Sequence, residues 1–292
     1  MTQQEREFLR DFEAFLASPP AAIEAVRAQI DAFTDRLDAI APGAPHLADY
    51  RANLRLREGL GADLAVPAGP GPHPVLLYLH GGGWVAGSPK SHRRLVQRFA
   101  EAGYLTLSVD YRLAPEHPFP AGYDDCVFAA RWIRENAAKW NGAADRVAIG
   151  GDSAGANLAA AAAALSGEVF RTALLIYGIF DFAGAVRRGA MGIEGVAQAY
   201  LAAGYPALLA DPRVSPIAGV TAKFPPTFLI VGNKDALVPE SLAMAQALKT
   251  AGVPHELRVV PDMIHGFIQF DMLEECRQSL AAMFAFMDAR LR

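Results

Sequence analysis

Six short, nearly continuous apolar runs punctuate the chain: Val75–Leu79, Leu105–Val109, Val147–Ile149, Ala173–Tyr177, Thr227–Val231 and Leu257–Val260. Most are rich in leucine or β-branched residues, and Gly, Pro, Asp or His flank them. Such runs predict strands buried on both faces of a mostly parallel sheet. Between them the pattern turns helical. Ser88-Pro89 supplies an N-cap and an N1 proline for a helix running towards Gly103. A second helix is predicted over roughly Gly122 to Trp140, and a third directly after Ser153. A fourth spans Pro239 to Thr250 and stops at Gly252, a residue suited to the left-handed position past a helix end. The last runs from about Leu273 onwards, with Cys276, Leu280, Met283, Met287 and Leu291 at helical spacing. Strands alternating with helices imply right-handed crossovers and an α/β architecture, an open sheet with helices on both faces.

Two segments stand outside that alternation. Residues 1–45 read as purely helical, with Phe8, Phe12, Phe15 and Leu16 on one face and a second helix near Ala22–Ile40. Residues 183–210 form an Ala/Gly-rich insert after the strand that ends at Gly178. Neither is large enough for its own core. Both are expected to pack as a small helical cap on a catalytic domain of residues 46–292.

Composition excludes several classes. The 292 residues are 52% hydrophobic and 20% charged, which is globular and not disordered. A net charge of −4 gives no reason to expect nucleic acid or an anionic membrane as partner. Cys126 and Cys276 are too few for a disulfide framework or a zinc site and are expected as reduced core residues. The first residues, Met-Thr-Gln-Gln-Glu-Arg-Glu, carry charge where a signal peptide needs an apolar stretch, and no window approaches the ~18 apolar residues of a membrane span. A cytoplasmic protein without stable membrane association is expected. The sequence leaves open whether it forms a homodimer. No His/Asp/Glu set has metal-ligand spacing and no G-x-G-x-x-G follows a strand, so neither metal nor nucleotide cofactor is expected.

The chemistry lies in Gly151-Asp152-Ser153-Ala154-Gly155, placed after the strand Arg146–Gly150 and before a helix. Gly-x-Ser-x-Gly in that setting is a nucleophile elbow, whose tight turn demands glycine on both flanks. The helix N-terminus adds free N–H groups and positive potential where an oxyanion would form. Upstream, His80-Gly81-Gly82-Gly83-Trp84 follows the strand Val75–Leu79, and three glycines let neighbouring N–H groups converge. The expected oxyanion hole is the N–H groups of Gly82, Gly83 and Ala154.

A serine nucleophile needs a histidine base held by a carboxylate, and in this fold they follow in the order Ser, Asp or Glu, His. Only His255 and His265 lie downstream. His255 opens a predicted strand at the wrong end of the sheet, whereas His265 lies past the end of that strand. Asp235, after the strand Thr227–Val231, is favoured as the acid over Asp262 and Glu240. Asp262 is read as shaping the His265 loop, and Glu240 as part of a helix's first turn. Three further readings concern other charged groups. Lys90 with His92-Arg93-Arg94 is expected to be a solvated helix start, and His73 and His117 to be loop residues.

Taken with the run Tyr111–Pro120, the motif Asp211–Pro216 and His265-Gly266-Phe267, these elements resemble the bacterial hormone-sensitive-lipase-type esterases of the α/β-hydrolase fold over residues 70–270. The resemblance implies a carboxylesterase with a helical cap and no cofactor. It implies the same oxyanion donors and a bracing, non-reacting role for Glu116. The expectation is a serine carboxylesterase that cleaves short-to-medium acyl esters of a small molecule. The rivals are an amidase or arylformamidase with the same triad, and a ligand-binding receptor on this scaffold that has lost its histidine. His265 disfavours the receptor.

Overall fold

The computed structural model describes all residues except 42, 44 and 169; the first two fall within the expected cap segment 1–45. Eight strands form one sheet: β1 (Leu47–Arg57), β2 (Leu60–Pro67), β3 (His73–Leu79), β4 (Leu105–Asp110), β5 (Gly142–Asp152), β6 (Thr172–Ile176), β7 (Thr227–Gly232) and β8 (His255–Val260). Their spatial order is β1-β2-β4-β3-β5-β6-β7-β8. From β4 to β8 every pairing is parallel, while β2 runs antiparallel to both β1 and β4.

The six predicted strands are β3 to β8; β1 and β2 are additional. Strand β1 is largely exposed and carries Asp49, Arg51, Arg55 and Arg57, so it has no continuous apolar run. Charges on an edge strand block edge-to-edge pairing, and the same charges hid this strand from a search for buried segments.

Within β3 successive side chains feed two cores. Val75, Leu77 and Leu79 point to one side and Leu76 and Tyr78 to the other. Helices α4 (Ala121–Asn136), α5 (Ala154–Leu165) and α8 (Val238–Thr250) cover the first face. Helices α3 (Arg93–Glu101) and α9 (Glu274–Leu291) cover the second. The alanines of α5, Ala156 and Ala159–Ala162, are fully buried against the sheet.

The remaining helices are α1 (Gln3–Ala17), α2 (Ile23–Ile40), α6 (Phe182–Arg187) and α7 (Ile193–Leu201). A capping box starts α1: the Thr2 hydroxyl accepts from the Glu5 N–H, and the Glu5 carboxylate accepts from the Thr2 N–H. Phe8 and Phe15 of α1 join Phe33 and Leu37 of α2 around Phe270 and Met272 in a separate small core.

Two readings of the charged groups need correction. The basic cluster at α3 is not simply solvated. Arg94 and Arg98 each donate through Nε to the buried carboxylate of Asp271 at 2.8 Å, and His92 is itself buried. The helix begins at Arg93; residues 88–91 form a turn in which Ser88 and Ser91 exchange side-chain and backbone hydrogen bonds. His73 is buried and opens β3, its N–H donating to the Asn141 carbonyl at 2.7 Å. In both places tertiary packing overrides local polarity.

Asp125 of α4, fully buried, accepts from Arg57 of β1 at 2.5 Å and from the Arg112 side chain at 2.8 and 3.0 Å. It thereby pins both the edge strand and the chain leaving β4. Asp125→Ala should lower unfolding stability by about 2 kcal/mol, the scale of a lost charge-assisted hydrogen-bond set, measured by urea denaturation. Asp49→Ala, which breaks an exposed pair with Arg51, should change it by less than about 0.5 kcal/mol.

Candidate active site

Strand β5 ends at Asp152 and α5 begins at Ala154, which leaves Ser153 alone to make the turn. It does so at φ 53°, ψ −117°, a conformation costing an L-residue about 1–3 kcal/mol. A Cβ on either Gly151 or Gly155 would strike the carbonyl oxygen of Leu79 at the end of β3. Both glycines are therefore needed for the neighbouring strand to pass beside the elbow. The Ser153 N–H is held by the Ile176 carbonyl at 2.9 Å.

His265 follows β8, and its Nε2 lies 2.9 Å from Ser153 Oγ. Its Nδ1 lies 2.7 Å from Oδ2 of Asp235, which follows β7. The other oxygen, Oδ1, accepts from the Leu237 N–H at 2.8 Å, fixing the carboxylate plane. A carboxylate facing Nδ1 selects the tautomer with the proton there, leaving the Nε2 lone pair for the serine hydroxyl. Burial pushes the His265 pKa down, but the charge and hydrogen bond of Asp235 outweigh it and hold it above 6.5. The Tyr177 ring packs on the imidazole at 4.6 Å between centroids.

The competing residues lie elsewhere. Asp262 is exposed, pairs with Lys234 and receives no bond from His265; its N–H donates to Asn233 Oδ1. Glu240 is buried in the first turn of α8, accepting the N–H groups of Phe180 and Asp181 and a bond from Arg188. His255 opens β8, with Nδ1 against the Val253 carbonyl.

The glycine loop after β3 turns through positive φ at Gly82 (125°), Gly83 (62°) and Trp84 (60°). A Cβ on Gly82 would strike the Ala86 carbonyl. The loop is closed by Ala86 N–H donating to the Gly82 carbonyl at 2.9 Å. Trp84 stacks on Tyr200 of α7 at 4.7 Å and tilts against Phe182 of α6 at 5.0 Å, so the insert helices support the loop.

Sequence reasoning did not single out the groups beneath it. Asp152, the residue before the serine, accepts from Tyr78 Oη at 2.8 Å and from the Gly81 N–H at 3.0 Å, and pairs with His92 Nε2 at 3.1 Å. Burial opposes ionisation of this carboxyl, yet His92 and Tyr78 keep its pKa below the ordinary value. His80 is held neutral by burial, its pKa pushed down to about 3, and stacks on Tyr111 at 4.2 Å. Arg27 of α2 was also missed. Its guanidinium donates to the Val85 carbonyl at 2.7 Å, to the Ala114 carbonyl at 3.0 Å, and to both oxygens of Glu116 at 2.7 and 2.8 Å. Glu116, expected as the brace of the loop, meets it through this arginine.

Among the described residues no group of three or more His, Cys, Asp or Glu is placed to hold a metal. A cavity of about 770 Å³ opens over Ser153 and His265, walled largely by apolar side chains of α1, α2 and α7.

A strained serine between a parallel strand and a helix, followed in chain order by a carboxylate and a histidine on later strand ends, is the pattern of the α/β hydrolases. The chain belongs to that family: the model of the alpha/beta hydrolase fold matches residues 76–269. It is similar to carboxylesterase NlhH of Mycobacterium tuberculosis, with 34% identity over 218 residues, covering 68% of each chain. It is 36% identical over 224 residues to an ethyl acetate hydrolase of Pseudomonas putida, covering 70% of each. Among solved structures, a hyperthermophilic esterase from the archaeon Pyrobaculum calidifontis superposes with a TM-score of 0.86 at 30% identity, covering 96% of this chain and 97% of that one.

Arg27→Met should free the join between α2 and the glycine loop. Amide exchange in residues 82–86 is expected to rise by about tenfold or more, as for loss of a charge-assisted bond. The Glu116 carboxyl, held down to about 2 by Arg27, should titrate near 4.5 instead, as followed by carboxyl NMR shifts.

Proposed function

We propose that the protein is a serine carboxylesterase in which Ser153 is the nucleophile, His265 the general base and acid, and Asp235 the residue that orients the imidazole. The observation that carries this reading is the unbroken hydrogen-bond chain from Ser153 Oγ through His265 to Asp235, at 2.9 and 2.7 Å, on a glycine-flanked elbow. Its relatives are named as ester hydrolases.

Ser153 Oγ attacks the ester carbonyl as its proton passes to His265 Nε2. The carbonyl oxygen becomes an anion, for which we assign the N–H groups of Gly82, Gly83 and Ala154 as donors. Collapse breaks the bond to the leaving oxygen, which takes the proton from Nε2 and departs as the alcohol. Water then attacks the acyl-enzyme, giving its proton to the same nitrogen, and the second collapse returns the proton to Ser153 and releases the acid.

Residues 1–45 and 183–210 act in this reading as a cap on the catalytic domain of residues 46–292. The cavity they roof, about 770 Å³, suits soluble esters with acyl chains of roughly two to eight carbons. Each methylene should help by about 0.8 kcal/mol until the cavity is full. A cytoplasmic setting fits two free, buried cysteines. All the assigned groups come from one chain, so a homodimer would carry two independent sites. Among the described residues no helix is long and apolar enough to cross a membrane.

Ser153→Ala should lose about 10⁴-fold or more in turnover while staying folded, and a fluorophosphonate should label only Ser153. Labelling elsewhere would displace the assignment. Asp235→Asn should cost about 10⁴ in kcat and Asp262→Asn far less; the reverse order would make Asp262 the acid. Because only neutral imidazole accepts the serine proton, kcat/KM should rise with pH through a midpoint above 6.5. A p-nitrophenyl ester series with matched amides and emulsified triglyceride tests the substrate. Best activity on amides or on sixteen-carbon chains would overturn the short-ester reading.

A further inference from the structure

The cavity above Ser153 and His265 has an unequal wall. Toward α1 and α2 five phenylalanines, Phe8, Phe12, Phe15, Phe33 and Phe270, line it beside aliphatic residues of both helices. Four of these rings are buried, and only Phe12 keeps a partly exposed surface. Phe33 and Phe270 meet the Phe12 ring nearly perpendicularly, at 5.3 Å and 81° and at 4.9 Å and 83°. Edge-to-face neighbours on two sides hold that ring in one orientation.

The location of the ring gives the wall its chemical meaning. Cε1 and Cζ of Phe12 lie 3.0 Å from the point where a Cβ on Gly266 would stand, so the ring rests on the residue next to His265. Gly266 has φ +84° and no side chain, and both features let the aromatic ring approach. The imidazole Nε2 must hand its proton to the leaving oxygen, which therefore departs on the histidine side of the reacting carbon. A side chain resting on the histidine loop consequently meets the alcohol portion of the ester. Val196 of α7, by contrast, stands 3.3 Å from the Cβ position of Gly83, against the glycine loop. Among the described residues no lysine or arginine lines the cavity.

We infer that Phe12, backed by Phe33 and Phe270, forms a subsite for the leaving alcohol that selects uncharged aromatic alcohols, so that aryl-methyl esters are preferred over small alkyl esters of the same acid. This rests on the esterase reading above and specifies the alcohol it releases. Phe12 determines specificity and takes no part in proton transfer.

The experiment compares kcat/KM for benzyl, cyclohexylmethyl, 4-carboxybenzyl and ethyl acetates, which form the same acetyl-enzyme and differ only in the alcohol. The wild type should favour benzyl over ethyl by about tenfold or more, and benzyl over cyclohexylmethyl by about threefold, the scale of aromatic pairing beyond area burial. The 4-carboxybenzyl ester should lose that advantage. Phe12→Leu, which keeps an apolar side chain for folding, should bring the benzyl to cyclohexylmethyl ratio to about one, and Phe12→Ala should lower the benzyl to ethyl ratio by about fivefold or more. In both variants the ethyl hexanoate to ethyl acetate ratio should move by less than about twofold, because the acyl side is untouched. Equal rates on benzyl and ethyl acetates, or a variant that shifts acyl-length preference instead, would overturn the subsite while leaving the esterase intact. No turnover of any ester would overturn the esterase reading and the subsite with it.

Discussion

A buried carboxylate organises everything around the reacting serine. Asp152 ends β5, and its two oxygens engage Tyr78 of β3, the Gly81 N–H at the root of the glycine loop, and His92 just before α3. A lone buried charge would cost several kcal/mol, and these partners offset that cost only while all are in place. One side chain thus adds a buried polar tie between the strand, the loop and the elbow, on top of the backbone pairing of β3 with β5. Without it, the root of the glycine loop would be tied to the elbow by the pairing of β3 with β5 alone.

Glycine sets the second constraint, because the Leu79 carbonyl passes so close to Gly151 and Gly155 that no side chain fits at either. The two glycines stand at a fixed spacing around the serine, and for that reason the requirement was visible in the sequence. Strands β3 to β7 were legible because each holds a run buried on both faces, whereas β8, the far edge strand with Glu256 and Val259 exposed, showed itself only through the short run Leu257–Val260. The order of Ser153, Asp235 and His265 along strand ends was equally readable, and the structure brings the three side chains into hydrogen-bond contact. What escaped was single side chains whose distant partners belong to no motif. Strand β1 carries polar residues on an exposed edge, Asp63 interrupts the apolar run of the buried β2, and Arg27 looks like any helix arginine until the Val85 and Ala114 carbonyls are seen in front of it. His92 read as solvated because its neighbours are basic, and only the fold reveals Asp152 behind it.

The two N-terminal helices that wall the cavity are attached by different physics. Helix α2 is joined to the base by the polar bonds of Arg27, which have direction and fixed length. Helix α1 is held mainly by ring packing around Phe33 and Phe270, which tolerates small shifts. The α2 side is therefore the stiffer mount for the glycine loop, and the α1 side the more adjustable wall of the cavity.

The stack of Trp84 on Tyr200 and Phe182 has a spectroscopic consequence. Of the three tryptophans, Trp132 of α4 and Trp140 just after it pair with each other, while Trp84 alone joins the glycine loop to the insert helices. Its indole is almost fully enclosed, so its emission should be blue-shifted when α6 and α7 are seated and should move to the red if they lift and admit water. The emission of this one indole thus reports, without any label, whether α6 and α7 lie against the glycine loop.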